Sequence, residues 1–200
     1  MKVKIKKKDK VKEFNLIKSW SDVTLEKWLK LIDYTTKSKT HEALSMISEL
    51  SDIPKKIIRQ LEIADVVSIL NQLTKIQNEK DTSLKNVIEI NNVKYGFHPD
   101  LNSLTLGEYA DLETYLSKDT EKYMPEIMAI LYRPIEEEGD NDIYTIEAYD
   151  GNIRLRAEQM KQMSAEQVQS ALVFFYNIVS VSLMIMQLYL TEQVKEKKKQ

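Results

Sequence analysis

The chain has no cysteine. That removes disulfides, thiolate metal sites and cysteine nucleophiles together, and it fits a reducing compartment. Glycine and proline are scarce as well, at four each, which leaves little turn chemistry for an all-β fold. The glycines, at 96, 107, 139 and 151, are too scattered to build a phosphate loop or a dinucleotide fingerprint. Only two histidines exist, His41 and His98. Neither has a Ser, Glu or His at motif spacing, so no catalytic or metal role is read for them, and His98 is read as marking a strand end. The N-terminus is rich in lysine but has no apolar core segment or small-residue cleavage site, so no secretory signal is visible and cytoplasmic residence is the default expectation.

The chain does carry enough apolar residues, 42% of 200, for a substantial core. Its net charge of −2 hides an uneven distribution. Residues 1–12 hold seven lysines against Asp9, and residues 195–200 hold four against Glu196; without these the body has 18 basic and 29 acidic residues. Both ends are basic caps on an acidic body. Such a body repels a polyanion, and no aromatic residue sits among the N-terminal lysines to stack on bases. Nucleic acid is therefore disfavoured as a partner, and an acidic protein surface is an equal candidate for the lysines.

The most unusual stretch runs from Ala171 to Leu190 without a charge. Its length suits a membrane span. Its polar residues and their neighbours, Glu166, Ser170, Asn177, Ser180, Gln187 and Thr191, nevertheless fall within about a third of a helix circumference. The spacing predicts a long C-terminal core helix with one wet stripe. A tail-anchored membrane protein spanning 171–190 is the alternative.

Hydrophobic periodicity supplies the remaining elements. Loose alternation over the first sixteen or so residues suggests a basic arm or short edge strands over 1–19. From Ser21 or Asp22, as cap, Leu25, Trp28, Leu29 and Ile32 form one helical face. A second helix carries Ala43 to Leu50, Asp52 and Pro54 suit the start of a third with Ile57, Ile58 and Leu61, and a fourth spans Ile63 to Ile76 with Val66, Val67, Ile69, Leu70 and Leu73 inward. The polar stretch Gln77 to Ser83 separates an N-terminal helical subdomain, 20–78, from a second subdomain, 84–194, followed by a basic tail, 195–200. The second opens with a β-hairpin near residues 86–97 around Asn91-Asn92. Thr105 and Glu108 then form a capping box for a helix presenting Tyr109, Leu112, Tyr115 and Leu116. Met124 to Leu131 is helical and stopped by Pro134, Glu136 to Asp142 is an acidic loop, and Ser164 caps the final helix. The fold expected is mainly α: a multi-helix bundle with one small hairpin.

No constellation carries chemistry. The acidic run lacks the alternation and the distal bidentate Glu of a calcium loop, so no metal site is read there, and neither a catalytic residue nor a cofactor is expected. Ten tyrosines, together with Phe174-Phe175-Tyr176 beside Met163, Met184 and Met186, read either as core or as an adaptable interface. If interface, the partner-binding residues are Tyr109, Leu112, Tyr115, Phe174, Phe175 and Tyr176.

Two groups of segments resemble a known class. Ile47 to Pro54 with Leu61 and Ala64-Asp65-Val66 resembles the helical pattern of bacteriophage tail assembly chaperones. Phe97 to Asp100, Leu104 to Leu112, Arg156-Ala157 and Ala171 to Phe175 look like small morphogenesis proteins of phages of Bacteroidetes-type hosts, including crAss-like phages. The resemblance spans about residues 20–190. It implies a non-enzymatic late protein, acting in the host cytoplasm during assembly or held in the virion, that binds a tail, tape-measure-like or neighbouring structural protein and can self-associate. The chain departs from the pattern of chaperones of this type in showing no obvious extension domain, which puts the tape-measure client in question.

Overall fold

The computed structural model describes residues 2–7, 10–35, 38–77, 83–139 and 143–176. The segment 177–190 of the uncharged run, most of the Gln77 to Ser83 stretch, the 195–200 tail and residues 140–142 lie outside them. Among the described residues no helix is long and apolar enough to cross a membrane.

Strands β1 (Lys2–Lys7) and β2 (Lys10–Asn15) pair antiparallel. Helices α1 (Leu25–Thr35), α2 (Lys39–Glu49), α3 (Lys55–Ile58) and α4 (Ile63–Gln77) follow. Then come β3 (Val87–Ile90), β4 (Val93–Phe97), α5 (Leu106–Leu116), α6 (Met124–Leu131), β5 (Tyr132–Glu138), β6 (Tyr144–Ile146) and α7 (Ile153–Met160). A helix over residues 165–176, α8, ends the described chain. The second sheet is antiparallel throughout, in the order β3-β4-β5-β6.

The expectation of a mainly α multi-helix bundle is therefore corrected. Among the described residues, two antiparallel sheets with six strands make this a mixed α and β fold. The hairpin near residues 86–97 does form, with Asn91 and Asn92 at φ of 52° and 63°, but as half of a four-stranded sheet. The missing half was concealed by composition. β5 reads as a helix tail running into an acidic loop because it holds Pro134 and Glu136 to Glu138. Pro134 does not stop α6. The helix passes directly into β5, where Pro134 faces Tyr95 in register and Glu138 forms an ion pair with Lys94 at 2.7 Å.

Two cores organise the described residues. The N-terminal core is aliphatic and collects Val3 and Ile5 of β1 with Val23, Ile47, Leu50, Ile69 and Leu73. The C-terminal core surrounds α6, a helix buried on all sides, and adds Tyr95, Phe97, Tyr132, Met160, Met163 and Phe175. Two local expectations change here. Val67 is half exposed because only the Ile69, Leu73 and Ile76 side of α4 faces the core. Asp52 does not start α3; its carboxylate accepts from the Asn15 backbone N–H at 2.7 Å and from its amide Nδ2 at 2.8 Å, pinning β2 to the helices.

The cores are stitched where α1 and α8 begin. Thr24 and Ser164 form an antiparallel bridge, with Leu25 N–H donating to Met163 O at 2.7 Å and Ala165 N–H donating to Val23 O at 2.7 Å. Both bridging residues also cap their helices. Thr24, not Ser21 or Asp22, takes the Lys27 N–H on its hydroxyl at 3.3 Å. Ser164 accepts from Gln167 N–H at 3.1 Å while the Gln167 side chain accepts from Ser164 N–H, a reciprocal box. The seam also exchanges side chains: Leu25 of α1 is buried in the C-terminal core, and Ala165 of α8 in the N-terminal core.

Candidate protein-binding surface

The charged groups that are most deeply buried form one clamp. Glu108, in the first turn of α5, is 1% exposed. Its Oε2 accepts from the Thr105 N–H at 2.6 Å, completing the capping box, and its Oε1 lies 2.7 Å from Arg133 Nη2 of β5 and 3.5 Å from His98 Nε2 just after β4. Burial pushes the Glu108 carboxyl up, but the Thr105 donors and the Arg133 and His98 charges outweigh it and hold the group below its ordinary range. Burial is also the largest influence on His98, and it keeps the imidazole below its usual value against the pull of Glu108. Tyr149 closes the clamp from above. Its ring lies 5.9 Å from the Arg133 guanidinium, and its hydroxyl donates to Asp111, so burial and that carboxylate raise it. A carboxylate, an imidazole and a guanidinium in contact resemble an acid–base site. These are buried and join α5 to the sheet, while among the described residues His98 Nδ1 and Arg133 Nε are left without a hydrogen-bond partner and His98 also borders a concavity.

Open concavities among the described residues include two. One, of about 390 Å³, lies at the end of the second sheet among Asn86, Phe97, His98, Tyr144 and Phe174. The Tyr144 hydroxyl has two carbonyl acceptors for its single proton, Phe97 O at 2.8 Å and Asn86 O at 3.1 Å, and its ring lies over Gly96, where a Cβ would overlap it. The other, of about 270 Å³, follows the seam between the cores and is lined by Leu25 and Trp28 of α1, Met124 of α6, and Val168, Leu172 and Tyr176 of α8. Its walls are almost wholly carbon. Trp28 belongs to both cores and stacks edge-on against Trp20 at 5.2 Å.

The six residues read from sequence as partner-binding separate into three groups. Leu112 and Phe175 are core. Tyr109, 58% exposed beside the 84% exposed Leu106, and Tyr115, tilted against Tyr123 at 5.4 Å, lie along α5. Phe174 lines the sheet-end concavity, edge-on to Phe97 at 5.6 Å, and Tyr176 lines the seam groove. Sequence reasoning missed Trp28, Met124 and Leu172 as groove residues. Their only signal was apolar periodicity, which does not distinguish a filled face from a half-filled one. Among the described residues no group of three or more His, Asp or Glu is placed to hold a metal ion. In comparisons with known protein families, with curated proteins and with solved structures, nothing matches the chain.

Proposed function

We propose that this chain is a non-enzymatic protein-binding factor that receives the apolar face of a partner helix in the seam groove. The observation that carries this reading is the groove itself, an open, carbon-walled channel between two cores, with half-exposed Val173 and Tyr176 at its α8 rim. Helix-in-groove recognition needs such a channel, with anchors spaced along one helical face. The clamp supports the non-enzymatic part, because its carboxylate and guanidinium form a buried ion pair that holds α5 on the sheet.

The resemblance noted in the sequence supplies the biological setting. It makes the chain a phage assembly factor or virion component acting in the host cytoplasm, with another structural protein of the particle as partner. The test is affinity capture from an infected lysate, with mass spectrometry to identify what is retained, using the wild-type chain and the double variant Val173→Asp/Tyr176→Asp. A tail or particle protein retained by the wild type and lost from the variant is the expected result. Retention of no particle protein, or equal retention by the folded variant, overturns the reading.

A further inference from the structure

The β1–β2 hairpin presents a second surface with a different chemistry. Its register runs unbroken from Lys2↔Asn15 to Lys7↔Lys10. One face is committed: Val3 and Ile5 are buried in the N-terminal core, and Phe14 packs against it. The opposite face carries Lys2 and Lys4, whose ammonium groups share the single carboxylate of Glu13 at 3.5 and 3.2 Å. The continuation of β2 is occupied by the body, through Ile17 N–H to Leu50 O at 3.0 Å and Asp52 N–H to Asn15 O at 3.0 Å. Among the described residues the far edge of β1 pairs with no strand.

Along that edge every second residue turns its N–H and C=O outward. A ladder of this kind accepts any extended backbone, so side chains must decide which. Lysines on alternate positions repel another copy of β1 and any basic strand. They lie about 6.7 Å apart, twice the strand rise, which is also the spacing of carboxylates at alternate positions of an incoming strand. One carboxylate for two ammonium groups leaves this face with uncompensated positive charge. The residues between those carboxylates would fall on the Val3 and Ile5 side, beside the core, and would best be apolar. β1 has no aromatic residue to stack on a base, which favours peptide over single-stranded nucleic acid.

From this we infer that the outer edge of β1 captures an extended, alternately acidic and apolar segment of a partner protein by strand addition. The test is fluorescence anisotropy of a labelled alternating Glu-Val peptide titrated with the full chain at low salt. Saturable binding is expected, weakened about tenfold or more in the Lys2→Glu/Lys4→Glu variant, which should instead bind an alternating Lys-Val peptide. Both lysines are exposed, and circular dichroism checks the fold of the variant. A Glu-Val peptide N-methylated at alternate amides, which cannot complete the ladder, should fail to bind. Equal binding of the methylated peptide, no binding of the parent peptide, or tighter binding of single-stranded oligothymidine overturns the proposal.

Discussion

The two cores are held by different physics. The N-terminal core is built from aliphatic side chains on a two-stranded hairpin and short helices, and Ser45 is the polar residue buried within those helices. The C-terminal core is aromatic and thioether-rich and carries the buried side chains of His98, Glu108, Arg133 and Arg156. An aliphatic core gains stability roughly in proportion to the area it buries and tolerates repacking. A core that contains ions is different: its charges add little net stability while paired, and become costly when one partner is removed. The C-terminal half is therefore specified by a few irreplaceable contacts, and the N-terminal half by many interchangeable ones.

The largest effect that would test this contrast comes from Glu108→Ala. It leaves Arg133 buried without its carboxylate and should cost about 3–5 kcal/mol, read as a drop in the urea midpoint. Removing apolar volume from the other core, by Ile47→Ala, should cost about 2–4 kcal/mol. Equal losses from Glu108→Ala and from an exposed substitution such as Glu89→Ala would dissolve the distinction.

The seam is a smaller lever. Thr24→Ala and Ser164→Ala each remove a cap and should cost about 1 kcal/mol. The bridge between them is made by backbone groups that both substitutions leave in place, so the double variant should cost close to the sum of the two, and a departure from additivity would show that the caps are coupled across the seam.

The smallest effect is a pH dependence near neutrality that comes from the C-terminal half. His98 faces Glu108, Arg133 and Asp100, and its folded value lies below that of the unfolded chain. Its contribution is therefore present above about pH 6.5 and is lost as pH falls through the lower folded value. Glu108, also lowered, adds a loss of the same sign only in the carboxylate range, below about pH 4.3. Chemical denaturation across pH should show stability falling from about pH 6.5 in the wild type. In His98→Gln it should stay flat down to the carboxylate range.

Much of the local structure can be read along the chain. The Asn91-Asn92 turn, the Thr105–Glu108 capping box and the inward face of α4 through Ile69 and Leu73 follow from residue type and spacing over a few positions. β5 and β6 could not be read in the same way. A strand with Pro134 and three consecutive glutamates has no propensity of its own, and it exists because Tyr95 and Phe97 offer their backbone to it. Of the candidate site, Tyr176 and Phe174 were visible as apolar residues of the C-terminal uncharged run. That they line separate concavities depends on what lies opposite, Trp28 and Met124 for one and Tyr144 for the other.

By itself the sequence determined most of the described helices, the Asn91-Asn92 turn, the caps at Thr105 and Ser164, and the absence of thiolate chemistry and of a glycine-built phosphate loop. Tertiary structure alone decided that Glu108 would meet Arg133 and His98, that Thr24 would bridge Ser164, and that an open groove would remain between two cores. The reason is one of range. Periodicity and capping depend on neighbours within a turn or two of the same element, whereas buried ion pairs, strand partners and grooves are made by residues far apart in sequence, whose meeting leaves no periodic trace in either segment.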